Sequence, residues 1–232
     1  MKNIAIIPAR SGSKGLKDKN IKLLNGKPLM WYSVNAAVDS GCFDEIMVST
    51  DSEKYADIAR ECGADVPFLR SDRNSTDDAT SADMIKEVIY KYKEMGQEYD
   101  TLTLLQPTSP LRTAGDIKNA YMLYREKNAL SVVSVCETEH SPLWCNVLPH
   151  DRRLDGFIRP EVLNNGGRQK LETMYRINGA IYITAIDYDD YNFDKCLYNR
   201  DSYAYIMDQV RSIDIDTELD FIIAESIVKN MK

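Results

Sequence analysis

This 232-residue chain is missing the marks of several common architectures and chemistries. No run approaches the roughly 18 apolar residues needed to span a bilayer, and the apolar stretch Ile4 to Pro8 is too short for a signal-peptide core. A cytoplasmic protein that does not engage a membrane is therefore expected. Five cysteines, Cys42, Cys62, Cys136, Cys145 and Cys196, form no C-x-x-C pair, and their odd number argues against a disulfide framework. They read as reduced, small hydrophobes. There are two histidines, His140 and His150, with no cysteine or histidine neighbour at metal-ligand spacing, which argues against a zinc site. The Walker A loop and the G-x-G-x-x-G fingerprint are both absent, which removes two familiar modes of nucleotide binding. No G-x-S-x-G elbow motivates a hydrolase triad, and no internal repeat or low-complexity tract is present.

What is present is a charge pattern that its sum conceals. The net charge of −7 disfavours nonspecific nucleic-acid binding. Residues 1 to 30, however, carry Lys2, Arg10, Lys14, Lys17, Lys19, Lys22 and Lys27 against Asp18 alone, a net +6, so the rest of the chain carries −13. A local positive field inside an acidic protein suits a small polyanionic ligand, and a solvated lysine-rich surface competes with that reading.

A hydrophobic content of 44% over this length suits one large α/β domain. Asn3 to Pro8 reads as a buried strand, followed by a long polar loop from Ala9 to Asn25. A helix then starts near Pro28 and stops at Gly41, with a strand at Glu45 to Thr50 and a helix at Ser52 to Cys62 ended by Gly63. The alternation continues with a strand near Val66 to Arg70, a helix at Ser81 to Met95 and a strand at Thr101 to Leu105. A helix at Ala114 to Lys127 and a strand at Leu130 to Val135 follow. Such alternation predicts a mostly parallel sheet covered on both faces, with ligands outside the carboxyl ends of its strands. From Glu137 to about Arg176 the rhythm stops, and prolines and glycines break any long element. A stretch that long has a job, and residues 137–176 are expected to cover the site or join a partner subunit within a single domain spanning 1–232. Strands at Asn178 to Thr184 and Tyr203 to Met207, and a helix from about Thr217, close the chain.

Three loops carry groups that can do chemistry. Arg10-Ser11-Gly12-Ser13-Lys14-Gly15 directly follows the first strand and offers backbone amides, hydroxyls and cations to phosphate oxygens; a plain tight turn is the competing reading. Gln106-Pro107-Thr108-Ser109-Pro110-Leu111-Arg112 follows the strand at Thr101 to Leu105, so it belongs on the same rim. Its amide, hydroxyls and guanidinium match what a pyrimidine, ribose or phosphate requires, although a rigid turn into a helix would use the same prolines. Asp214-Ile215-Asp216 places two carboxylates on one side of an extended backbone, with Cα atoms roughly 7 Å apart, so both can reach one cation. Hard oxygen ligands of this kind suit Mg²⁺ in phosphoryl or nucleotidyl transfer. Helix capping by Thr217-Glu218-Leu219-Asp220 competes for the neighbouring acids but leaves Asp214 unexplained.

Together with Asn178-Gly179-Ala180-Ile181-Tyr182, the runs Ile7 to Gly15, Leu104 to Arg112 and Ser212 to Thr217 resemble the N-acylneuraminate cytidylyltransferases, or CMP-sialic acid synthetases. The resemblance covers nearly the whole chain. It implies a Rossmann-like α/β nucleotidyltransferase fold, a homodimer and Mg²⁺ as cofactor. It also implies that Arg10, Ser13, Lys14, Lys19 and Asn20 hold CTP, with Arg70, Ser81 and Gln106 as further nucleotide contacts. His140, Trp144, Arg168, Tyr175 and Asn178, again with Gln106, would line the sugar pocket, some of them across the dimer. Asp214 and Asp216 would bind the metal, and with Arg10 and Lys14 they would form the catalytic set. In the implied reaction the anomeric hydroxyl of a keto sugar attacks the α-phosphorus of CTP and pyrophosphate leaves, its charge met by Mg²⁺, Lys14 and Arg10.

Trp144 departs from the pattern, standing where some bacterial sialic acid enzymes carry lysine. A bulky apolar ring suits a legionaminic or pseudaminic acid as readily as N-acetylneuraminic acid, unless it merely anchors its loop. The alternatives are a manno-octulosonate cytidylyltransferase, whose first loop differs from Lys14-Gly15-Leu16-Lys17-Asp18, and a catalytically silent nucleotide-binding module, against which both aspartates argue. Sugar-1-phosphate nucleotidyltransferases are disfavoured because their glycine-rich loop is absent.

Overall fold

The computed structural model describes residues 1–12, 15–164 and 171–230. Strand β1 (Asn3–Pro8) is buried along nearly its whole length, and a strand that is apolar on both faces belongs in the middle of a covered sheet. It pairs in parallel with β4 (Glu45–Ser49) on one side and with β5 (Thr101–Leu104) on the other. Three further strands, β6 (Ser131–Glu137), β7 (Tyr175–Ala185) and β8 (Ser202–Met207), complete a six-stranded sheet in the order β4-β1-β5-β7-β6-β8. Strand β7 is antiparallel to both β5 and β6, while β6 and β8 are parallel. One strand therefore runs against the other five, and the sheet is mostly parallel as the alternation predicts.

The two faces of the sheet follow the period of two along β1. Ala5 and Ile7 face a core built with α1 (Leu29–Ser40), α2 (Glu53–Glu61) and α4 (Ala114–Glu126), which supply Val34, Ala56 and Ile117 among others. Ile4 and Ile6 face the opposite core, where α3 (Ser81–Glu94) contributes Ile85, Val88 and Tyr92. Three helix ends have local causes: Gly41 at φ 62 closes α1, and Thr113 and Thr80 open α4 and α3 with capping boxes. Among the described residues no helix is long and apolar enough to cross a membrane.

Two stretches differ from the sequence expectation. The segment from Val66 to Arg70 does not form a strand; it runs beside β4 with a single bridge, Met47 to Asp65, and one further bond from the Arg70 amide to Thr50. Pro67 has no amide hydrogen to donate between them. The polar stretch before Asn25 is more ordered than a loop. It holds a 3-10 turn at Lys19–Ile21 and then β2 (Leu23–Leu24), which pairs with β3 (Lys27–Pro28) across Asn25-Gly26 at φ 46 and 80. That left-handed Asn-Gly pair is what a tight hairpin needs. Leu24 is buried against Ile215, Phe221 and Ala224, so helix α7 (Glu218–Asn230) covers the hairpin. The partner lies nearly a chain length away and leaves no local trace.

Between β6 and β7 the described chain is irregular apart from a 3-10 turn at Pro142–Trp144 and the short α5 (Pro160–Asn164). A second short helix, α6 (Phe193–Leu197), packs Phe193 and Leu197 into the α3-side core.

Candidate active site

A cavity of about 380 Å³ opens at the carboxyl ends of β1 and β5. Its walls include Arg10, Lys19, Asn20, Arg70, Ser81 and Gln106, so the structure gathers all six described residues expected around a nucleotide. Ser13 and Lys14 lie outside the described residues.

The walls are held by side-chain bonds to backbone. Asp51, just beyond β4, accepts from the Ser11 amide and hydroxyl, both at 2.8 Å, and anchors the first loop. Asn20 is buried and donates to the Arg10 carbonyl at 3.1 Å, which makes it a support for the loop. Arg70 is buried and donates to the Ser49 hydroxyl (3.0 Å) and carbonyl (2.6 Å). Burial pulls its pKa down to about 10, with Asp51 and Glu87 opposing, so it stays cationic at neutral pH. Behind it, Glu87 accepts from the amide and hydroxyl of Ser71 at 2.9 Å, from Asn74 at 2.5 Å and from Lys91 at 2.7 Å. Burial works against the Glu87 carboxylate, yet these bonds prevail and bring its pKa to about 2. Arg10 reaches across the mouth to the Thr76 carbonyl (2.8 Å) and to Asp77 (3.0 Å).

Two glycines allow the loops to meet. A Cβ on Gly15 would lie 2.8 Å from the Asp216 carbonyl oxygen, and one on Gly179, at φ +77, would lie 2.5 Å from Gln106 Oε1. The Ile215 amide also donates to the Thr108 carbonyl at 2.8 Å. Loops from four separated parts of the sequence thus close on one place. Ile215 is fully buried between the two aspartates, as the extended spacing predicts.

Asp214 is partly buried, and its Oδ1 has no hydrogen-bond partner among the described residues. Burial raises its pKa, a bond from Thr108 lowers it, Asp216 raises it, and Lys19 and Arg176 lower it. Asp216 is exposed, and its Oδ1 pairs with Lys19 Nζ at 3.1 Å; Lys19 also donates to the Ile215 carbonyl at 2.7 Å. Asp220 caps α7, accepting from the amide and hydroxyl of Thr217, both at 2.7 Å. Capping therefore occupies Asp220 and leaves Asp214 and Asp216 to another task. A buried carboxylate oxygen without a donor beside an exposed second carboxylate fits a hard divalent cation. Among the described residues no third histidine, cysteine, aspartate or glutamate completes a cage, so further ligands would come from water or phosphate.

A second cavity, of about 390 Å³, lies where β6 ends and β7 begins. It brings His140 and Trp144 together with Glu137, Glu139 and Met174. Two other residues expected on this side are placed elsewhere in the structure. Tyr175 is exposed along a different depression, beside Ile206 and Gln209. Asn178 is 2% exposed, donates to the Ser212 hydroxyl at 2.8 Å and accepts from Ser134 at 2.6 Å. It lies under the Asp214 loop and supports it, because the alternation along β7 turns its side chain inward. Arg168 lies outside the described residues.

Arg112 also differs from its expected role as a ligand donor. It is buried and donates to the carbonyls of Gln106 (3.3 Å) and Ala180 (3.0 Å), pinning the Gln106 loop to β7. Burial lowers its pKa to about 10. Sequence reasoning missed Asp51 and Glu87, which carry no motif, and Arg176, whose one signal is its place between Tyr175 and Asn178. Arg176 Nη2 lies 3.0 Å from Glu139 Oε1, and this bond holds the Glu139 carboxyl below its ordinary pKa.

The family profile described as cytidylyltransferase matches residues 4–151. N-acylneuraminate cytidylyltransferase of Streptococcus agalactiae is 42% identical over 226 residues, covering 96% of this chain and 52% of the relative. The chain thus spans about half the length of that relative. CMP-N,N'-diacetyllegionaminic acid synthase of Legionella pneumophila is 36% identical, covering 99% of this chain and 97% of its own. Pseudaminic acid cytidylyltransferase of Campylobacter jejuni is 31% identical at the same coverages. Among solved structures, CMP:2-keto-3-deoxy-manno-octonic acid synthetase complexed with CTP superposes with a TM-score of 0.70 over 100% of both chains at 15% identity. That likeness establishes the shared α/β nucleotidyltransferase fold.

Proposed function

Because the chain belongs to the cytidylyltransferase family, we propose that it transfers the cytidylyl group of CTP to the anomeric hydroxyl of a nonulosonic acid and releases pyrophosphate. The observation that carries this reading is that the Arg10 and Gln106 loops wall one cavity and are joined there by the Asp214 and Gly179 segments: Lys19 of the wall pairs with Asp216, the Thr108 carbonyl accepts from the Ile215 amide, and Gly179 packs against Gln106. The sugar is a member of the neuraminic, legionaminic or pseudaminic class, in keeping with the names of relatives that align along almost all of this chain. The manno-octulosonate alternative and a silent binding module are not favoured.

Each wall has a task in that reaction. Arg10 neutralises phosphate charge after exchanging its contact with Asp77, and Lys14, from the same loop, does likewise. The amino end of α3, at Ser81, adds donors and a favourable dipole for an anion. Gln106 stands between the nucleotide cavity and β7, where its amide can orient either substrate. Asp214 and Asp216 would hold Mg²⁺, which when bound supplies positive charge to phosphoryl oxygens. Asn178, through the Ser212 hydroxyl, and the Thr108 carbonyl, through the Ile215 amide, hold the Asp214 loop in place, and Lys19 occupies Asp216 until a stronger cation arrives.

The second cavity would take the sugar, with Trp144 offering an apolar wall. The protein would act in the cytoplasm as a homodimer. Val147, Leu148, Leu154 and Leu163 are exposed on the segment between β6 and β7 and support its reading as a dimerisation arm. The test is pyrophosphate release from CTP with a panel of nonulosonic acids, with and without Mg²⁺. Release with at least one acid, dependent on the metal, is expected; no release with any would overturn the assignment.

A further inference from the structure

The Asp214 run reaches the rim of the first cavity without help from the sheet. It follows β8, an edge strand paired with β6, whereas the cavity sits on β1 and β5, beyond β7. Strand pairing therefore cannot hold the run against the Gln106 loop, and other ties must.

One of them is a buried carboxylate. Asp116, 3% exposed, stands in the first turn of α4, just after the Gln106 loop. Its Oδ2 closes the capping box, accepting from the Thr113 amide at 2.9 Å and hydroxyl at 2.7 Å. Capping asks for no more, yet the same carboxylate takes two further donors from the far end of the chain. Tyr205 of β8 donates its hydroxyl to Oδ1 at 3.1 Å, and Arg211 Nε lies 3.1 Å from Oδ2. Arg211 belongs to the 3-10 turn Val210–Ser212, which leads directly into Ile213 and Asp214.

The two segments are thus joined on both sides of Asp214. On one side the Ile215 amide donates to the Thr108 carbonyl, and on the other Arg211 pairs with Asp116. A single backbone bond would let the run pivot; a second, charge-assisted bond, roughly twice as strong as a neutral one, removes that freedom. Neither Arg211 nor Asp116 lines either cavity, so any effect of theirs on the reaction passes through the run.

We propose that Arg211 and Asp116 are a positioning pair that sets the Asp214 and Asp216 carboxylates against the nucleotide loop, a role that rests on the proposed metal-dependent cytidylyl transfer. Arg211 is the side chain to change, because it is partly exposed and Thr113 and Tyr205 still satisfy Asp116 without it.

The test measures pyrophosphate release and, separately, Mn²⁺ binding by electron paramagnetic resonance, with Asp216→Ala as the binding background. Arg211→Met is expected to weaken Mn²⁺ binding and lower kcat, each roughly 10-fold or more, with the KM for CTP unchanged. Arg211→Lys, which keeps the charge, should recover most of both losses. Because the two residues act as one, Arg211→Met combined with Asp116→Asn should lose no more kcat than the worse single variant. A lower melting temperature in Arg211→Met with wild-type Mn²⁺ binding and kcat would make the pair merely structural and overturn the proposal, while the proposed function stood. Additive losses in the double variant would overturn it as well. If wild-type protein bound no more Mn²⁺ than Asp216→Ala and released no pyrophosphate, the proposed function would fall, and the positioning role with it.

Discussion

The two cavities have similar volumes, about 380 and 390 Å³, but are built in opposite ways. The first sits on strand ends, and its walls are tied down one by one: Asp51 to Ser11, Asn20 to Arg10, Arg70 to Ser49, and Glu87 to Ser71 and Asn74. The second is walled by the irregular segment after β6, whose two ends are joined by a backbone bond from the Thr138 amide to the Met174 carbonyl just before β7, and which presents exposed apolar side chains outward. Nucleotidyl transfer tolerates little misplacement of charge, since positioning and neutralisation supply most of its acceleration. A sugar pocket can change its walls and change only its substrate. Under the proposed reaction the tied-down half would serve the chemistry, and the outer half the choice of sugar.

The largest expected effect breaks the first cavity without touching the fold. Asp216→Ala should reduce turnover by about 1000-fold or more, since a lost metal ligand removes several kcal/mol of charge stabilisation. Its circular dichroism and melting temperature should match wild type, because the side chain is exposed. Normal Mg²⁺-dependent turnover in that variant would refute the role given to the aspartate pair.

A smaller effect is expected at the back of the same wall. Glu87 has an ordinary pKa of 4.5 that the fold lowers to about 2. Its stabilising bonds are therefore complete above pH 4.5 and are lost as the pH falls from there toward about 2. Glu87→Gln should cost about 1–2 kcal/mol at neutral pH and show a flatter acid limb than wild type in thermal melts. Parallel pH profiles for the two proteins would mean that this carboxylate does not anchor the wall.

The smallest effect should come from the second cavity. Trp144→Ala is expected to change the KM for the sugar on the order of fivefold and to alter the ranking among sugar acids. The KM for CTP and the melting temperature should stay as in wild type. A fall in thermal stability comparable to that of Glu87→Gln would show the second cavity to be as deeply wired as the first, and the contrast between them would fail.

Much of the site was legible in the sequence because its parts are local. The loop after β1, the Gln106 run and the Asp214-Ile215-Asp216 triplet each announce themselves by residue type and spacing. The first two meet because β1 and β5 are neighbouring parallel strands whose carboxyl-end loops share a rim, whereas the Asp214 run follows the edge strand β8 and reaches them through tertiary contacts such as the Ile215 amide on the Thr108 carbonyl. Asn178 and Arg112 misled for the same reason they are useful. Polar side chains in a functional motif suggest ligand contacts, and only burial shows that these two bind backbone and neighbouring side chains instead. The hairpin at Leu23–Leu24 was missed because its apolar partners lie at the other end of the chain.

Most of the strands and helices in their order, the polar loop after β1, the carboxylate pair and the family were determined by the sequence, since periodicity, turn chemistry and motif are properties of neighbouring residues. The tertiary structure alone decided which polar groups face a cavity and which hold it together. That distinction depends on which residues far apart in the chain pack against each other, as Gly15 does with Asp216, Gly179 with Gln106, and Arg176 with Glu139.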